Sequence, residues 1–209
     1  MKKKLGLLAL ALTVGMLAGC GSEQAAESSE EKDAVTGAIT VSAAASLTDV
    51  LNELAQTFQE EYPGTEVSFT FGGSGALQTQ IEEGAPVDLF FSAAESNMDA
   101  LEEQGLIDAA TRKDVLQNEI VLIAPQGETA VTSFETILDS DPQIALGEAE
   151  SVPAGKYAQE VFTNLGIWDD VKSHAVFASN VREVLAWVEA GEADCGVVYA
   201  TDAKASDAI

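Results

Sequence analysis

Four short segments of the chain combine small residues with a place at the start of an expected helix. They are Ala43-Ala44-Ala45-Ser46, Gly72-Gly73-Ser74-Gly75, Val152-Pro153-Ala154-Gly155 and Ser179-Asn180-Val181. Helix N-termini present backbone N–H groups that lack intrahelical acceptors, and they carry a partial positive charge. If several helix N-termini converge, their uncharged N–H groups can together bind a small anion.

Each of these segments also has a purely structural interpretation. Ser46 and Ser74 could cap their helices, each contributing about 1 kcal/mol of stability. Tyr199 ends an apolar strand and would ordinarily belong to the core. The segment 72–75 lacks the lysine of a phosphate-binding P-loop, which argues against nucleotide binding. Spacing alone therefore predicts a two-lobed α/β binder of a small ligand.

The acidic composition narrows the class of partner. The 209 residues include 35 Asp and Glu against 10 Lys and Arg, which gives a formal net charge of −25. This charge argues against nucleic acid and against a basic membrane-docking surface. A small oxyanion remains compatible with it, because oriented dipoles in a dry cleft bind more strongly than the same groups in water.

The histidine and the cysteines of the chain offer little for metal or nucleophile chemistry. His174 is expected in a strand without neighbouring ligands, which argues against a zinc site and a Ser-His-Asp triad. Cys195 precedes an apolar run and is interpreted as a buried strand thiol rather than a nucleophile. We therefore predict no catalytic residue and no resident cofactor.

The N-terminal residues have the features of a lipoprotein signal. A basic start precedes an apolar run, Leu5 to Ala18, which leads into Gly19-Cys20. The run is too short to span a bilayer comfortably, so residues 1–19 are predicted to be a cleaved signal peptide. Acyl chains on Cys20 would then hold the protein on the outer face of the cell membrane. Residues 20–37, which lack aromatic side chains, are predicted to be a flexible tether.

Hydrophobic periodicity beyond the tether predicts two successive series of strands and helices. The first series, residues 38–117, includes a helix over Ser46–Glu61. Its apolar residues recur at the spacing of a helix with one buried face: Leu47, Val50, Leu51, Leu54 and Phe58. The second series, residues 118–200, includes a short helix over Ser133–Leu138. Strand and helix alternation implies parallel sheets with right-handed crossovers. A cleft between the two lobes is the expected binding site.

Four motifs, in order, resemble those of the molybdate-binding proteins of bacterial ABC transporters. They are Thr40-Val41-Ser42-Ala43-Ala44-Ala45-Ser46-Leu47-Thr48, Gly84-Ala85-Pro86-Val87-Asp88-Leu89-Phe90, Val152-Pro153-Ala154-Gly155-Lys156-Tyr157-Ala158 and Gly196-Val197-Val198-Tyr199. The resemblance extends from Ile39 to the end of the chain. It implies the periplasmic-binding-protein fold, an α/β fold of two parallel-sheet lobes that close over a tetrahedral dianion.

The resemblance also implies the positions that bind the ligand. Ser46 and Ser74 would each offer a hydroxyl and an amide from the first lobe. Ala154 and Val181 would offer backbone N–H groups from the second lobe, and Tyr199 its phenolic OH. Molybdenum would be held as its oxyanion through these residues, without direct metal ligands.

The function implied by the resemblance is extracytoplasmic binding of molybdate or tungstate and delivery to an ABC permease. The protein would be a lipid-anchored monomer without enzymatic activity. A binding protein for another small oxyanion, such as sulfate, is the alternative. An enzyme would need a base near Ser46 or Ser74. Arg182, beside Val181, is the basic residue that could contact an anion directly.

The resemblance also implies where the C-terminal residues of the chain lie in the fold. Residues 201–209 are expected to begin a return of the chain to the first lobe, which further residues complete in the family. Without that part, the first lobe is expected to be incomplete at its C-terminal side. It would then expose an unpaired strand edge and apolar faces.

Overall fold

A computed structural model describes residues 35–127 and 130–209. The predicted signal peptide, Cys20 and residues 20–34 of the predicted tether lie outside the described residues. Within the part that is described, no helix combines the length and the apolar character needed to cross a bilayer.

The first lobe contains a parallel sheet of three strands with the order β2-β1-β3. Its elements are β1 (Thr36–Ala44), α1 (Thr48–Glu61), β2 (Gly64–Gly72), α2 (Ser74–Glu82), β3 (Leu89–Phe91) and α3 (Glu95–Glu103). Short 3-10 turns cover Ala45–Leu47 and Ala109–Thr111. Strand β1 starts at Thr36, before the predicted lobe boundary at residue 38.

The second lobe contains a sheet of four strands with the order β4-β7-β5-β6. Its elements are β4 (Ile120–Ile123), β5 (Ile144–Gly147), α4 (Pro153–Asn164), α5 (Trp168–His174), β6 (Ala175–Ala178), α6 (Val181–Glu189), β7 (Cys195–Tyr199) and α7 (Ala200–Lys204). The predicted fold class, two α/β lobes built on parallel strands, is confirmed.

One strand departs from the predicted parallel arrangement. Strand β4 pairs antiparallel with β7, whereas β5 pairs parallel with both β6 and β7. Parallel neighbours require a crossover connection. Strand β4 lies at the sheet edge and arrives directly from the first lobe, so no crossover fixes its direction. Antiparallel edge strands on parallel sheets are common for this reason.

Two local predictions are wrong. The predicted helix over Ser133–Leu138 is absent, and residues 135–140 form a turn instead. The Ser133 hydroxyl accepts a hydrogen bond from Thr136 N at 3.3 Å, as a capping serine would, but so short a segment forms too few intrahelical bonds to offset the cost of helix nucleation. His174 ends helix α5 instead of lying in a strand, and its Nε2 is 2.8 Å from Asp141 Oδ1.

The core of the second lobe includes the whole of β7, which is buried along its length. Cys195 on this strand is 0 % exposed. Burial, with a smaller effect from Asp194, raises the pKa of its thiol to about 12. The thiol therefore stays protonated at neutral pH, as expected for a packing residue and not for a nucleophile.

Helix α1 is covered only in part. Leu51 and Ala55 are buried against the first sheet, but Val50 and Leu54 are 53 % and 59 % exposed. The prediction that the apolar positions of this helix share one buried face therefore holds for Leu51 and is wrong for Val50 and Leu54. No described element packs over them.

The C-terminal residues pack against the second lobe. Ala208 O accepts a hydrogen bond at 2.8 Å from the N–H of Gln126, a residue just beyond the end of β4. Ile209 is packed against the hydrophobic core that includes β7. These contacts hold the end of the described chain beside β4 and β7.

Candidate functional site

The loops at the carboxyl ends of the strands of both lobes border one small cavity. Its volume is about 10 Å³, which is roughly the space needed for one water molecule. The residues that line it are Ala44, Ala45, Ser46, Gly72, Gly73, Ser74, Ala93, Val152, Pro153, Ala154, Val181 and Tyr199. All five positions singled out in the sequence are therefore brought together here: Ser46, Ser74, Ala154, Val181 and Tyr199.

Ser46 lies in the 3-10 turn that follows β1. The residue that precedes helix α1 is Leu47, and no side chain caps that helix. The interpretation of Ser46 as a helix cap is therefore wrong. Its side chain is half-buried and makes no hydrogen bond to another residue in 35–127 or 130–209. The hydroxyl is thus available to a ligand.

Ser74 is the first residue of α2 and is fully buried. It does not cap the helix either, because Gly73 holds the capping position. Its Oγ accepts a hydrogen bond from Ala93 N at 2.9 Å. Since a hydroxyl has one proton and two lone pairs, this contact leaves the proton of Ser74 free to donate into the cavity.

Ala154 and Val181 contribute backbone N–H groups at the first turns of two helices. Ala154 is the second residue of α4, and Val181 is the first residue of α6. Residues at these positions have no intrahelical acceptor. In the described part of the chain neither N–H donates to another protein group, although the residues are only 1 % and 4 % exposed. Both amides are therefore available as donors with the helix dipole behind them.

The loop before α6 is organised by its own side chains. Asn180 Oδ1 accepts a hydrogen bond from Glu183 N at 3.1 Å. The carboxylate of Glu183 reaches back and accepts from Ser179 N at 2.7 Å. These two bonds resemble a capping box and hold the start of α6 beside the cavity.

Tyr199 is the last residue of β7 and is 5 % exposed. Its OH lies 3.4 Å from Ala93 O, a long and weak hydrogen bond that the phenol can exchange for a better acceptor. Burial, with smaller effects from Tyr157 and Asp202, raises the pKa of the phenol well above its ordinary value. The side chain is therefore a neutral donor.

Sequence reasoning missed Ala93. Its N–H holds Ser74 in the first lobe and its carbonyl accepts from Tyr199 in the second. Ala93 follows β3 closely, so the feature used for the other loops, small residues just beyond a strand, could have identified it.

The cavity is lined without charged side chains. Arg182 lies close by, but Nη2 of its guanidinium is 2.7 Å from Asp49 Oδ2 and its Nε is 2.8 Å from Asp202 Oδ1. These two carboxylates counter its charge. Within 35–127 and 130–209, no group of three His, Cys, Asp or Glu side chains could hold a metal ion. The chemistry offered by the lining is hydrogen-bond donation from hydroxyls and amides.

The glycine-rich segment 72–75, at the start of α2, is in contact with the second lobe. Gly75 N donates a hydrogen bond to Ser151 O at 2.9 Å. A Cβ added at Gly73 would lie 2.8 Å from Ser151 O and 2.9 Å from Ser179 O. Side chains are not tolerated at such distances, so this approach of the lobes requires glycine at position 73.

A larger groove of about 350 Å³ lies open on the first lobe, between α1 and β2. It is lined by Asn52, Ala55, Gln56, Gln59, Glu60, Val67 and Phe69. None of the five predicted positions borders it, and Gln59 already accepts a hydrogen bond from Val67 N. We therefore place the candidate site in the smaller cavity between the lobes.

The sequence and the fold of the chain are both similar to those of known solute-binding proteins. Residues 39–209 match the family described as bacterial extracellular solute-binding protein. The chain is 44 % identical to YvgL of Bacillus subtilis, a candidate ABC transporter substrate-binding lipoprotein, over 100 % of the chain and 79 % of YvgL. It is 41 % identical to the molybdate-binding protein ModA of Haemophilus influenzae, over 84 % of the chain and 71 % of that protein. The solved periplasmic molybdate-binding protein of Azotobacter vinelandii superposes with a TM-score of 0.69 at 28 % identity, over 77 % of this chain and 71 % of that one.

Proposed function

The chain belongs to the family of bacterial extracellular solute-binding proteins, and on that premise we propose that it binds molybdate and tungstate for uptake through an ABC permease. Relatives that are named for molybdate binding support this choice of ligand. The observation that carries the proposal is the convergence of five donor positions on one cavity without charged side chains.

In the proposed complex, the first lobe supplies the hydroxyl and amide groups of Ser46 and Ser74. The second lobe supplies the backbone N–H groups of Ala154 and Val181 and the phenolic OH of Tyr199. These groups come from five different loops or strand ends, so they can surround a tetrahedral anion. No donor carries a formal charge.

The composition of the lining favours a fully ionised oxyanion. Molybdate and tungstate carry no proton at neutral pH and can accept a hydrogen bond from every donor. Hydrogen phosphate carries a proton, and burying it without an acceptor costs about 1–3 kcal/mol. No carboxylate lines the cavity to accept that proton. Sulfate is fully ionised as well but smaller, so it cannot reach all donors at once.

Binding requires the cavity to widen. Its volume of about 10 Å³ suits one water molecule rather than a tetrahedral oxyanion. The walls that must separate belong to different lobes, because Ser74 lies in the first and Ala154 in the second. Capture of the ligand therefore includes movement of one lobe relative to the other, as in other hinged binding proteins.

The protein acts outside the cytoplasm in this proposal, held on the outer face of the cell membrane by acyl chains on Cys20. The lipoprotein nature of YvgL, as its name describes it, supports such an anchor. The residues between Cys20 and the start of β1 at Thr36 would serve as the tether that lets a monomeric binding domain reach the permease.

Calorimetric titration of the purified protein should give molybdate an affinity at least about a hundredfold higher than that of sulfate, or on the order of 3 kcal/mol. The expected reason is the incomplete set of hydrogen bonds around the smaller anion. Tungstate serves as the positive control, and its affinity should be similar to that of molybdate. Equal affinities for molybdate and sulfate would contradict the assignment.

Ser46→Ala should weaken molybdate binding by about thirtyfold, since a hydrogen bond to a charged group contributes about 1.5–3 kcal/mol. The melting temperature of the free protein should change little, because the Ser46 hydroxyl makes no hydrogen bond to another described residue. Ser68→Ala, on the exposed part of β2, is the matched control and should bind as the wild type does. An unchanged affinity in Ser46→Ala would remove this residue from the site.

A further inference from the structure

A network of three charged side chains connects the two lobes beside the cavity. Arg182, at the start of α6, is 2.8 Å from Asp202 Oδ1 in its own lobe and 2.7 Å from Asp49 Oδ2 at the start of α1. Asp202 is 0 % exposed, and its second oxygen accepts a hydrogen bond from Tyr199 N at 3.3 Å. Among the described residues, the pair of Arg182 with Asp49 is the ion pair that joins the lobes.

Each member of this network adjoins a proposed ligand position in the sequence. Asp49 lies in the first turn of α1, three residues after Ser46, and Arg182 comes directly after Val181. Asp202 accepts from the backbone of Tyr199 itself. The network therefore contacts three of the five elements that supply donors, although none of its own side chains lines the cavity.

The two halves of the network differ in burial, which determines which half can separate. A buried carboxylate such as Asp202 is stable as an ion only beside a positive partner, so it keeps Arg182 in the second lobe. Asp49 is 68 % exposed and can be rehydrated at little cost. When the lobes separate, the contact between Arg182 and Asp49 must break first, while that between Arg182 and Asp202 can persist.

We propose that Arg182 is a positioning residue for oxyanion binding: Asp202 holds it in the second lobe, and its ion pair with Asp49 stabilises the closed arrangement of the lobes around the ligand. Arg182 does not touch the anion in this role. The inference rests on the function proposed above, because it assigns the network to retention of the same ligand. It predicts that loss of the pair shortens the lifetime of the complex.

The test uses Asp49→Asn, because this exposed position can be changed without leaving a buried charge unpaired. Release of radiolabelled molybdate into excess unlabelled molybdate should be about three- to fivefold faster than from the wild type, the effect of an exposed ion pair. Added salt should accelerate release from the wild type more than from Asp49→Asn, because salt screens the pair.

Two further variants separate this role from a general effect of charge or stability. Asp49→Glu keeps the charge and should restore most of the slow release. Glu53→Gln removes an exposed carboxylate from the same helix and should release molybdate as the wild type does. The inference would be overturned if Asp49→Asn released molybdate at the same rate as Glu53→Gln. It would also be overturned if Asp49→Glu did not restore slow release. Failure of the wild type to bind molybdate would instead contradict the proposed function.

Discussion

Gly73→Ala should abolish tight molybdate binding while the ligand-free protein remains folded. The added methyl group would lie 2.8 Å from Ser151 O and 2.9 Å from Ser179 O, both of them backbone atoms of the opposite lobe. Backbone carbonyls that are held by their own loops cannot move aside as a flexible side chain can. The methyl group therefore keeps the lobes apart, and the donors of the second lobe no longer reach an anion held by Ser46 and Ser74.

We expect the affinity of Gly73→Ala for molybdate to fall by at least about a hundredfold in calorimetry, equivalent to roughly 3 kcal/mol. The melting temperature of the ligand-free protein should change little, because the clash is relieved once the two lobes move apart. Ser68→Ala, on the exposed part of β2 and outside the cavity, is the control and should bind as the wild type does. If Gly73→Ala bound as tightly as Ser68→Ala, the approach of Gly73 to Ser151 and Ser179 would not belong to the ligand-bound arrangement.

Gly155→Ala should cost the protein a large part of its stability. A Cβ at this position would collide with the carbonyl group of Gly147 at the end of β5, where helix α4 packs on the second sheet. Both partners are backbone, so the helix would have to move away from the sheet. Overpacking of this kind typically costs about 1–3 kcal/mol, and we expect the upper end of that range here.

Urea unfolding followed by circular dichroism measures the effect of Gly155→Ala. The midpoint should fall clearly while the slope stays similar, because the surface exposed on unfolding is unchanged. Molybdate affinity should fall as well, since Ala154 N–H is carried by the displaced end of α4. A midpoint equal to that of the wild type would show that α4 and β5 can accommodate the methyl group.

Features that depend on local chemistry could be predicted from the sequence. The first turn of a helix carries free N–H groups wherever the helix lies in the fold, so the segments that contain Ser46, Ala154 and Val181 were recognisable as donors before the fold was known. Strand and helix alternation was enough to predict the fold class, because periodicity reports which face of an element is buried.

Features that depend on tertiary contacts could not be predicted from the sequence. The role of Gly73 exists only because Ser151 and Ser179 approach it from the other lobe. The neutralisation of Arg182 requires Asp49 and Asp202, which are distant in the chain. Ser46 and Ser74 could have capped their helices, but Leu47 and Gly73 hold those capping positions. Residues around the cavity are where general sequence rules are expected to fail first.

The buried phenol of Tyr199 has a consequence for the range of environments in which the protein works. An exposed tyrosine loses its proton in strongly alkaline media and becomes an anion that repels a dianion. Burial raises the pKa of Tyr199, so its hydroxyl keeps its proton under such conditions. The proposed binding of the oxyanion should therefore persist at an alkaline pH at which an exposed phenol would already have lost its proton.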